Sequence, residues 1–161
     1  MTLTGHSLAC QRSENLIFSE IDFSIEAGNI CLVKGPNGSG KTTLLRLLAG
    51  FLKVEIGHLI YNNKDITNDR EIRAEYFLYL GHQNALKNQL TVEDQISFWQ
   101  VVSNNEYDFN NDPMEIHSIL DKRLYECSEG QRRRIALTRL VIENKKFWLL
   151  DEPTVSLDTK N

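Results

Sequence analysis

The first part of the chain alternates apolar and polar positions, and short apolar runs interrupt the remainder. The alternating apolar residues include Leu16, Phe18, Ile21, Phe23 and Ile25. A period of two predicts strands in a sheet that has one exposed face. Apolar runs at residues 29–33, 58–61, 76–80 and 147–150 predict further strands. We expect Cys31, inside the first of these runs, to be a small buried side chain.

Helical patterns lie between the predicted strands. The apolar residues at 43–49 predict a helix that Gly50 can end, and Thr91 suits the N-cap of a second helix. Residues 104–112 are polar and predict a loop, while helical patterns return at 114–124 and after Ser128. This alternation predicts a single α/β domain with a β subdomain and core at 1–83, an inserted helical subdomain at 84–128 and a last segment at 129–161.

Residues 35–43 carry the most specific motif of the chain. They fit G-x-x-x-x-G-K-[ST], in which a glycine-rich backbone turns its N–H groups towards phosphate. Lys41 would face the β- and γ-phosphates, and the Thr42 hydroxyl would face Mg²⁺. A chance match in a glycine-rich turn is the alternative, and the strand and helix predicted on either side count against it. The candidate nucleotide-binding residues here are Gly35, Pro36, Asn37, Gly38, Ser39, Gly40, Lys41, Thr42 and Thr43.

Two carboxylates follow the last apolar run. Asp151 and Glu152 stand at the end of the strand predicted at 147–150 and precede Pro153. A strand end beside a phosphate loop is where such enzymes hold Mg²⁺, which suits Asp151. Glu152 could then polarise the water that attacks the γ-phosphorus. The alternative is an acidic pair that caps a turn.

A third cluster begins at Ser128. Ser128 and Gln131 fit a capping box at a helix start, and three arginines follow at 132–134. One interpretation is purely structural, with the arginines on a solvated face. The other interpretation is functional, with the N-terminus of the same helix serving as an anion-binding site.

Composition excludes some functions and leaves others open. The net charge of −4 at pH 7 argues against broad binding to nucleic acid. The three cysteines form neither a CxxC pair nor a disulfide framework, which favours a reducing compartment. We find no signal peptide and no apolar stretch long enough to span a bilayer, so we expect a cytosolic chain that meets a membrane through partners.

The order of these motifs resembles the ATP-binding cassette (ABC) ATPase family. The phosphate loop, Gln83 after a predicted strand, the segment 128–131 and the segment 151–153 follow each other in that family's order, and Ser156-Leu157-Asp158 matches its D-loop. The likeness covers essentially the whole chain. Within the family, residues 79–83 leading into 90–94 resemble the ATP-binding subunits of haem exporters in cytochrome c maturation.

The resemblance implies a P-loop NTPase fold with an N-terminal antiparallel β subdomain, and ATP and Mg²⁺ as cofactors. Lys41, Gln83 and Glu152 would act in catalysis, and Thr42, Gln83 and Asp151 would hold the metal. Arg12 would lie at the adenine platform.

The resemblance also implies partners. Ser128, Gly130 and Gln131 would complete the site of a second protomer in a head-to-tail dimer, and Asp158 would reach across that interface. Membrane permease subunits of the haem exporter type would hold the protein at the cytoplasmic face of the inner membrane. ATPases for another small-molecule transporter, for DNA repair or for translation are the alternatives.

The chain departs from the family pattern at several places. Glu129 stands where the family prefers glycine, which should weaken closure unless its side chain turns away or pairs with an arginine. Arg12 stands where the family has an aromatic residue, which predicts looser adenine selectivity. No histidine follows Asp151, so we expect the switch histidine and the C-terminal core elements to be missing. A nucleotide-binding remnant without turnover is therefore a further alternative.

Overall fold

A computed structural model describes residues 1–12 and 15–153. The chain divides into two compact units, residues 1–79 and residues from 80 onward. The described part of each unit has its own secondary structure and buried apolar side chains.

The first unit is built on an antiparallel sheet. Its strands are β1 (Thr2–Arg12), β2 (Asn15–Glu26), β3 (Ile56–Tyr61) and β4 (Lys64–Asp65), in the order β2-β1-β3-β4. Alternating exposure along β2 confirms the half-exposed sheet that the period of two predicts. The turn between β3 and β4 uses Asn62 and Asn63, both with positive φ, as expected for a tight hairpin.

Two helices complete the first unit. Helix α1 (Lys41–Leu48) follows the glycine-rich loop, buries Leu44, Leu47 and Leu48, and ends before Gly50, as predicted. Helix α2 (Arg70–Tyr76) was not anticipated from the sequence. Its N-cap is Asp69, whose side chain accepts a hydrogen bond from the Ile72 backbone.

The strand predicted at residues 29–33 is wrong. These residues form neither strand nor helix, and the side chains of Ile30 and Leu32 are 95 % and 72 % exposed. Cys31 is exposed as well, so its expected burial is also wrong. A continuous apolar run becomes a strand only when neighbouring strands pair with it, and no described strand pairs with residues 29–33.

The second unit begins at the last residue of β5 (Phe77–Leu80). It contains helix α3 (Val92–Ser103), three short 3₁₀ turns (Phe109–Asn111, His117–Ile119 and Leu124–Glu126), helix α4 (Glu129–Glu143) and strand β6 (Phe147–Leu150). Helices α3 and α4 pack against each other. The backbone N–H of Asp151, just after β6, donates to the Leu80 carbonyl at 2.9 Å.

The helix predicted at residues 114–124 is also wrong, because a buried carboxylate takes the backbone hydrogen bonds. Asp112 accepts the N–H groups of Met114, Ile116 and His117, together with the Tyr107 hydroxyl. A side chain that accepts three nearby backbone N–H groups competes with helix formation. Instead of a helix, this range contains a short 3₁₀ turn at His117–Ile119, and a second one at Leu124–Glu126 begins at its end.

An apolar core holds the second unit together. Its buried members are Val92, Ile96, Trp99, Tyr107, Ile116, Ile119, Leu124, Cys127, Ile135 and Ile142. Among the residues that the structure describes, no helix is long and apolar enough to cross a membrane.

Candidate nucleotide and catalytic site

The glycine-rich loop at 35–43 has the backbone that the motif predicts. Gly38 and Gly40 adopt φ values of 83° and 91°, which residues with a Cβ rarely reach. A Cβ at Gly40 would come within 2.8 Å of the Ile17 side chain. The loop therefore requires glycine at this position both for its backbone angle and for its close packing on β2.

Lys41 is already turned into the loop. Its ammonium group donates to the carbonyl oxygens of Gly35 and Pro36, each at 2.9 Å. Lys41 and Thr42 also open helix α1, whose N-terminal dipole favours an anion. The loop thus combines a cation, a hydroxyl and a helix N-terminus within one short segment.

Arg12 is exposed at the end of β1, where it is paired with Asn15 in the hairpin register. Nothing in its surroundings tests the predicted adenine platform, which stays a prediction.

Asp151 and Glu152 lie in the second unit and differ in environment. Asp151 is 7 % exposed, whereas the Glu152 side chain is 55 % exposed. Glu152 has φ of 52°, a left-handed conformation that costs roughly 1–3 kcal/mol for a residue with a Cβ. Strain of this kind persists only where the surroundings enforce it, and it is frequent at functional sites.

His82 and Gln83 follow β5 in the same unit. Gln83 is exposed, and His82 Nδ1 lies 3.7 Å from Glu152 Oε2. The sequence does not single out His82, because no local motif links it to Glu152. The hydrogen bond between the end of β5 and the residue after β6 brings these positions together in space.

The start of α4 forms the predicted capping box. Ser128 Oγ accepts the Gln131 N–H at 3.3 Å, and Gln131 Oε1 accepts the Ser128 N–H at 2.9 Å. Gly130 lies in the first turn. The Glu129 side chain is turned outwards, and its Oε1 lies 3.8 Å from Arg132 Nε. It therefore meets both conditions, exposure and an arginine partner, under which its charge should not weaken closure.

The interpretation of the arginines as a solvated face is wrong for Arg133. This side chain is 3 % exposed, and its guanidinium donates to five acceptors. Nε donates to the Pro153 carbonyl, Nη1 to the Gly81 carbonyl and Asn84 Oδ1, and Nη2 to the Asp151 and Glu152 carbonyls, at distances of 2.9–3.3 Å. Burial lowers the pKa of Arg133, and the Asp151 carboxylate acts in the opposite direction.

The described residues contain no group of three or more histidine, cysteine, aspartate or glutamate side chains that could hold a metal ion. Asp151 and Thr42 nevertheless offer hard oxygen donors. Mg²⁺ commonly takes one or two such donors and completes its shell with phosphate oxygens and water. Each of these residues, taken within its own unit, therefore has donor chemistry that fits Mg²⁺. Asp158 lies outside the described residues.

Comparison with known proteins defines the class. The sequence model of the family described as ABC transporter matches residues 18–155. The chain belongs to this family and is an ABC-type, ATP-binding and ATP-hydrolysing subunit. The α/β fold with its N-terminal antiparallel sheet, expected from the resemblance, is confirmed.

Individual relatives narrow the comparison. The chain is 39 % identical to the cytochrome c biogenesis ATP-binding export protein CcmA of Rhizobium johnstonii, over 98 % of this chain and 76 % of the relative. It is 36 % identical to the protein of the same name from Tatumella citrea, over 97 % of this chain and 76 % of the relative. Among solved structures, an ATP-binding protein of an ABC transporter from Pyrococcus furiosus matches with a TM-score of 0.84 and 29 % identity, over 98 % of this chain and 78 % of that one.

Proposed function

We propose that this protein is the ATPase subunit of an export complex for c-type cytochrome biogenesis, and that its cycle drives haem export or the release of a haem chaperone. The phosphate loop with Lys41 turned into it is the observation that carries the ATPase part of the proposal. The likeness to relatives named for cytochrome c biogenesis supports the choice of pathway.

The residues divide the work of hydrolysis. Lys41 and the N–H groups of residues 35–43 bind the β- and γ-phosphates. Glu152 accepts a proton from the attacking water, and Gln83 orients that water. Thr42, Gln83 and Asp151 are the proposed Mg²⁺ ligands, and bound Mg²⁺ would neutralise charge on the phosphate oxygens.

A second protomer and a membrane partner complete the proposed assembly. Ser128, Gly130 and Gln131 would meet the γ-phosphate held by the other protomer, since a helix N-terminus favours an anion. Permease subunits would hold the dimer at the cytoplasmic face of the inner membrane. We assign residues 1–83 to the β subdomain and core, 84–128 to the helical subdomain and 129–161 to the signature and the segment that follows it.

The phosphate loop is tested by binding of trinitrophenyl-ATP, a fluorescent analogue. Lys41→Ala should abolish binding, because the variant loses the only side-chain cation within the 35–43 motif. Lys53→Ala, at an exposed position of the first unit, is the matched control and should bind as the wild type does. Unchanged affinity of Lys41→Ala would contradict the assignment.

Catalysis and pathway are tested separately. Glu152→Gln should bind ATP normally and lose about 10²–10⁴-fold in turnover, the usual contribution of a general base.

Expression of the chain in a bacterium that lacks its own CcmA should restore covalent haem in c-type cytochromes, and expression of the Glu152→Gln variant should not. If the protein hydrolyses ATP in vitro but does not restore covalent haem in cells, the ATPase assignment holds and the assignment to cytochrome c biogenesis is contradicted.

A further inference from the structure

We infer that Arg133 is a positioning residue for hydrolysis, which fixes the Gln83 segment and the Glu152 turn relative to each other through one guanidinium. The inference rests on the proposed roles of Gln83 and Glu152 and concerns contacts within the second unit alone. Arg133 itself would touch neither nucleotide nor water.

The hydrogen bonds of Arg133 fall into two groups. Nη1 donates to the Gly81 carbonyl at 3.0 Å and to Asn84 Oδ1 at 2.9 Å, so it holds the segment that contains His82 and Gln83 from both sides. Nε and Nη2 donate to the carbonyls of Pro153, Asp151 and Glu152 at 3.2, 3.3 and 3.1 Å. One planar group therefore spans both segments.

Only arginine has the donors for this arrangement. A guanidinium carries five N–H groups in a fixed plane, and here each has an acceptor. Lysine has three donors on a single atom and cannot reach both groups in the same geometry. Because the side chain is 3 % exposed, water cannot readily replace lost hydrogen bonds.

The turn at Glu152 needs such a support. Glu152 has a left-handed backbone, which a residue with a Cβ adopts only when its surroundings compel it. The three carbonyls that Arg133 binds belong to this residue and its two neighbours, so the guanidinium fixes the peptide planes on both sides of the strained position. Through them it fixes the direction in which the Glu152 carboxylate leaves the backbone.

The position of Arg133 on α4 adds a second consequence. Ser128 caps the same helix, so the proposed contact with the partner's nucleotide and the anchor for Glu152 lie on one rigid element. A small displacement of α4 would therefore shift the positions of Gln83 and Glu152 together.

Steady-state turnover and nucleotide affinity test the inference in the full chain. Arg133→Lys should lower kcat by about 10- to 100-fold, because small misplacements of catalytic groups have effects of this size. KM and the affinity for trinitrophenyl-ATP should stay within about 2-fold of the wild type, since the phosphate loop supplies binding. Arg139→Lys, the same change on the same helix at a residue paired with Glu143, is the matched control.

Chemical rescue separates positioning from a general loss of structure. Arg133→Ala lacks an ethylguanidinium group, so added ethylguanidinium should recover part of kcat, and propylammonium, with the same charge but three donors, should not. Wild-type kcat in Arg133→Lys, or equal losses of kcat and nucleotide affinity without rescue, would overturn the inference.

Amide hydrogen exchange provides a readout that does not depend on turnover. The Asp151 N–H donates to the Leu80 carbonyl, and its exchange in Arg133→Lys should accelerate by about 10-fold or more, while Arg139→Lys leaves it unchanged. Unchanged exchange would contradict the role of Arg133. A Glu152→Gln variant that still turns over would instead contradict the proposed base, and the exchange result would still decide on Arg133.

Discussion

At the scale of single residues, Asp112 shows how one buried carboxylate organises a loop. Its side chain is 4 % exposed and accepts hydrogen bonds from the Tyr107 hydroxyl and three backbone N–H groups. Burial by itself would raise the pKa of Asp112, but these hydrogen bonds outweigh it and lower the pKa below the ordinary value of 3.8. The charged form is therefore the one that the folded loop stabilises.

The lowered pKa predicts an acid-dependent contribution to stability. A carboxyl group whose pKa is lower in the folded state stabilises the fold above its unfolded pKa, and this contribution is lost as the pH falls through the folded value. Asp112→Asn should therefore cost about 2 kcal/mol of unfolding free energy at neutral pH, and less at about pH 2.5. Urea denaturation at the two pH values measures the difference.

Asp121→Asn is the control, because Asp121 is exposed and should change stability by less than about 0.5 kcal/mol. A cost for Asp112→Asn that is the same at both pH values would contradict the charged-state explanation.

At the scale of elements, helix starts follow local chemistry, while strands depend on partners. Helices α3 and α4 both begin with capping boxes, at Thr91 with Asp94 and at Ser128 with Gln131. Such signals lie within four residues and can be found in the sequence. The apolar run at 29–33 contains no signal of that kind, and whether it becomes a strand depends on pairing with distant residues.

The cap of α3 gives a direct prediction. Thr91→Ala should lower the unfolding free energy by about 1 kcal/mol, because the Asp94 N–H loses its acceptor. Thr91→Ser keeps a hydroxyl at the same place and should retain most of the stability. Thermal or urea denaturation compares the three proteins, and equal loss in both variants would point to packing of the Thr91 methyl group instead.

The open conformation of residues 29–33 predicts the reactivity of the cysteines. Cys31 is exposed, whereas burial raises the pKa of Cys10 and of Cys127 and so reduces their thiolate. A brief treatment of the native protein with a maleimide, followed by mass spectrometry, should label Cys31 first. The urea-unfolded protein should lose this preference. Protection of Cys31 in the native protein would indicate that the run is paired as a strand after all.

At the scale of the whole molecule, the proposed head-to-tail dimer would place residues of two protomers at each site. Ser128→Asp tests this, because aspartate is as good an N-cap as serine but would bring negative charge to the partner's phosphate. Lys41→Ala disables the phosphate loop of its own protomer. Each variant alone should have little turnover.

Mixing the two variants distinguishes a shared site from a site within one protomer. In a head-to-tail dimer one mixed site carries both defects and the other carries neither, so an equal mixture should recover about a quarter of wild-type turnover. Sites contained within single protomers would give no recovery. ATPase rates across a series of mixing ratios provide the measurement, and the rate of Lys41→Ala alone provides the baseline.

The sequence by itself determined the elements and residues whose chemistry is local. It predicted the glycine-rich loop at 35–43, the capping box at Ser128, the half-exposed strands at the start of the chain and the two carboxylates at the end of β6. Glycines, capping residues and apolar–polar alternation favour a local structure through residues only a few positions apart, so they can be interpreted without knowing the rest of the fold. The order of these motifs was enough to indicate the family.

Tertiary structure alone decided the outcomes that depend on distant partners. It left residues 29–33 outside the described strands, put a loop with a short 3₁₀ turn in place of the helix predicted at 114–124, and brought His82 to Glu152. It also buried Arg133, whose five acceptors come from segments far away in sequence. Every residue carries a backbone carbonyl, so no sequence pattern indicates that four of them, together with the Asn84 side chain, will converge on one guanidinium.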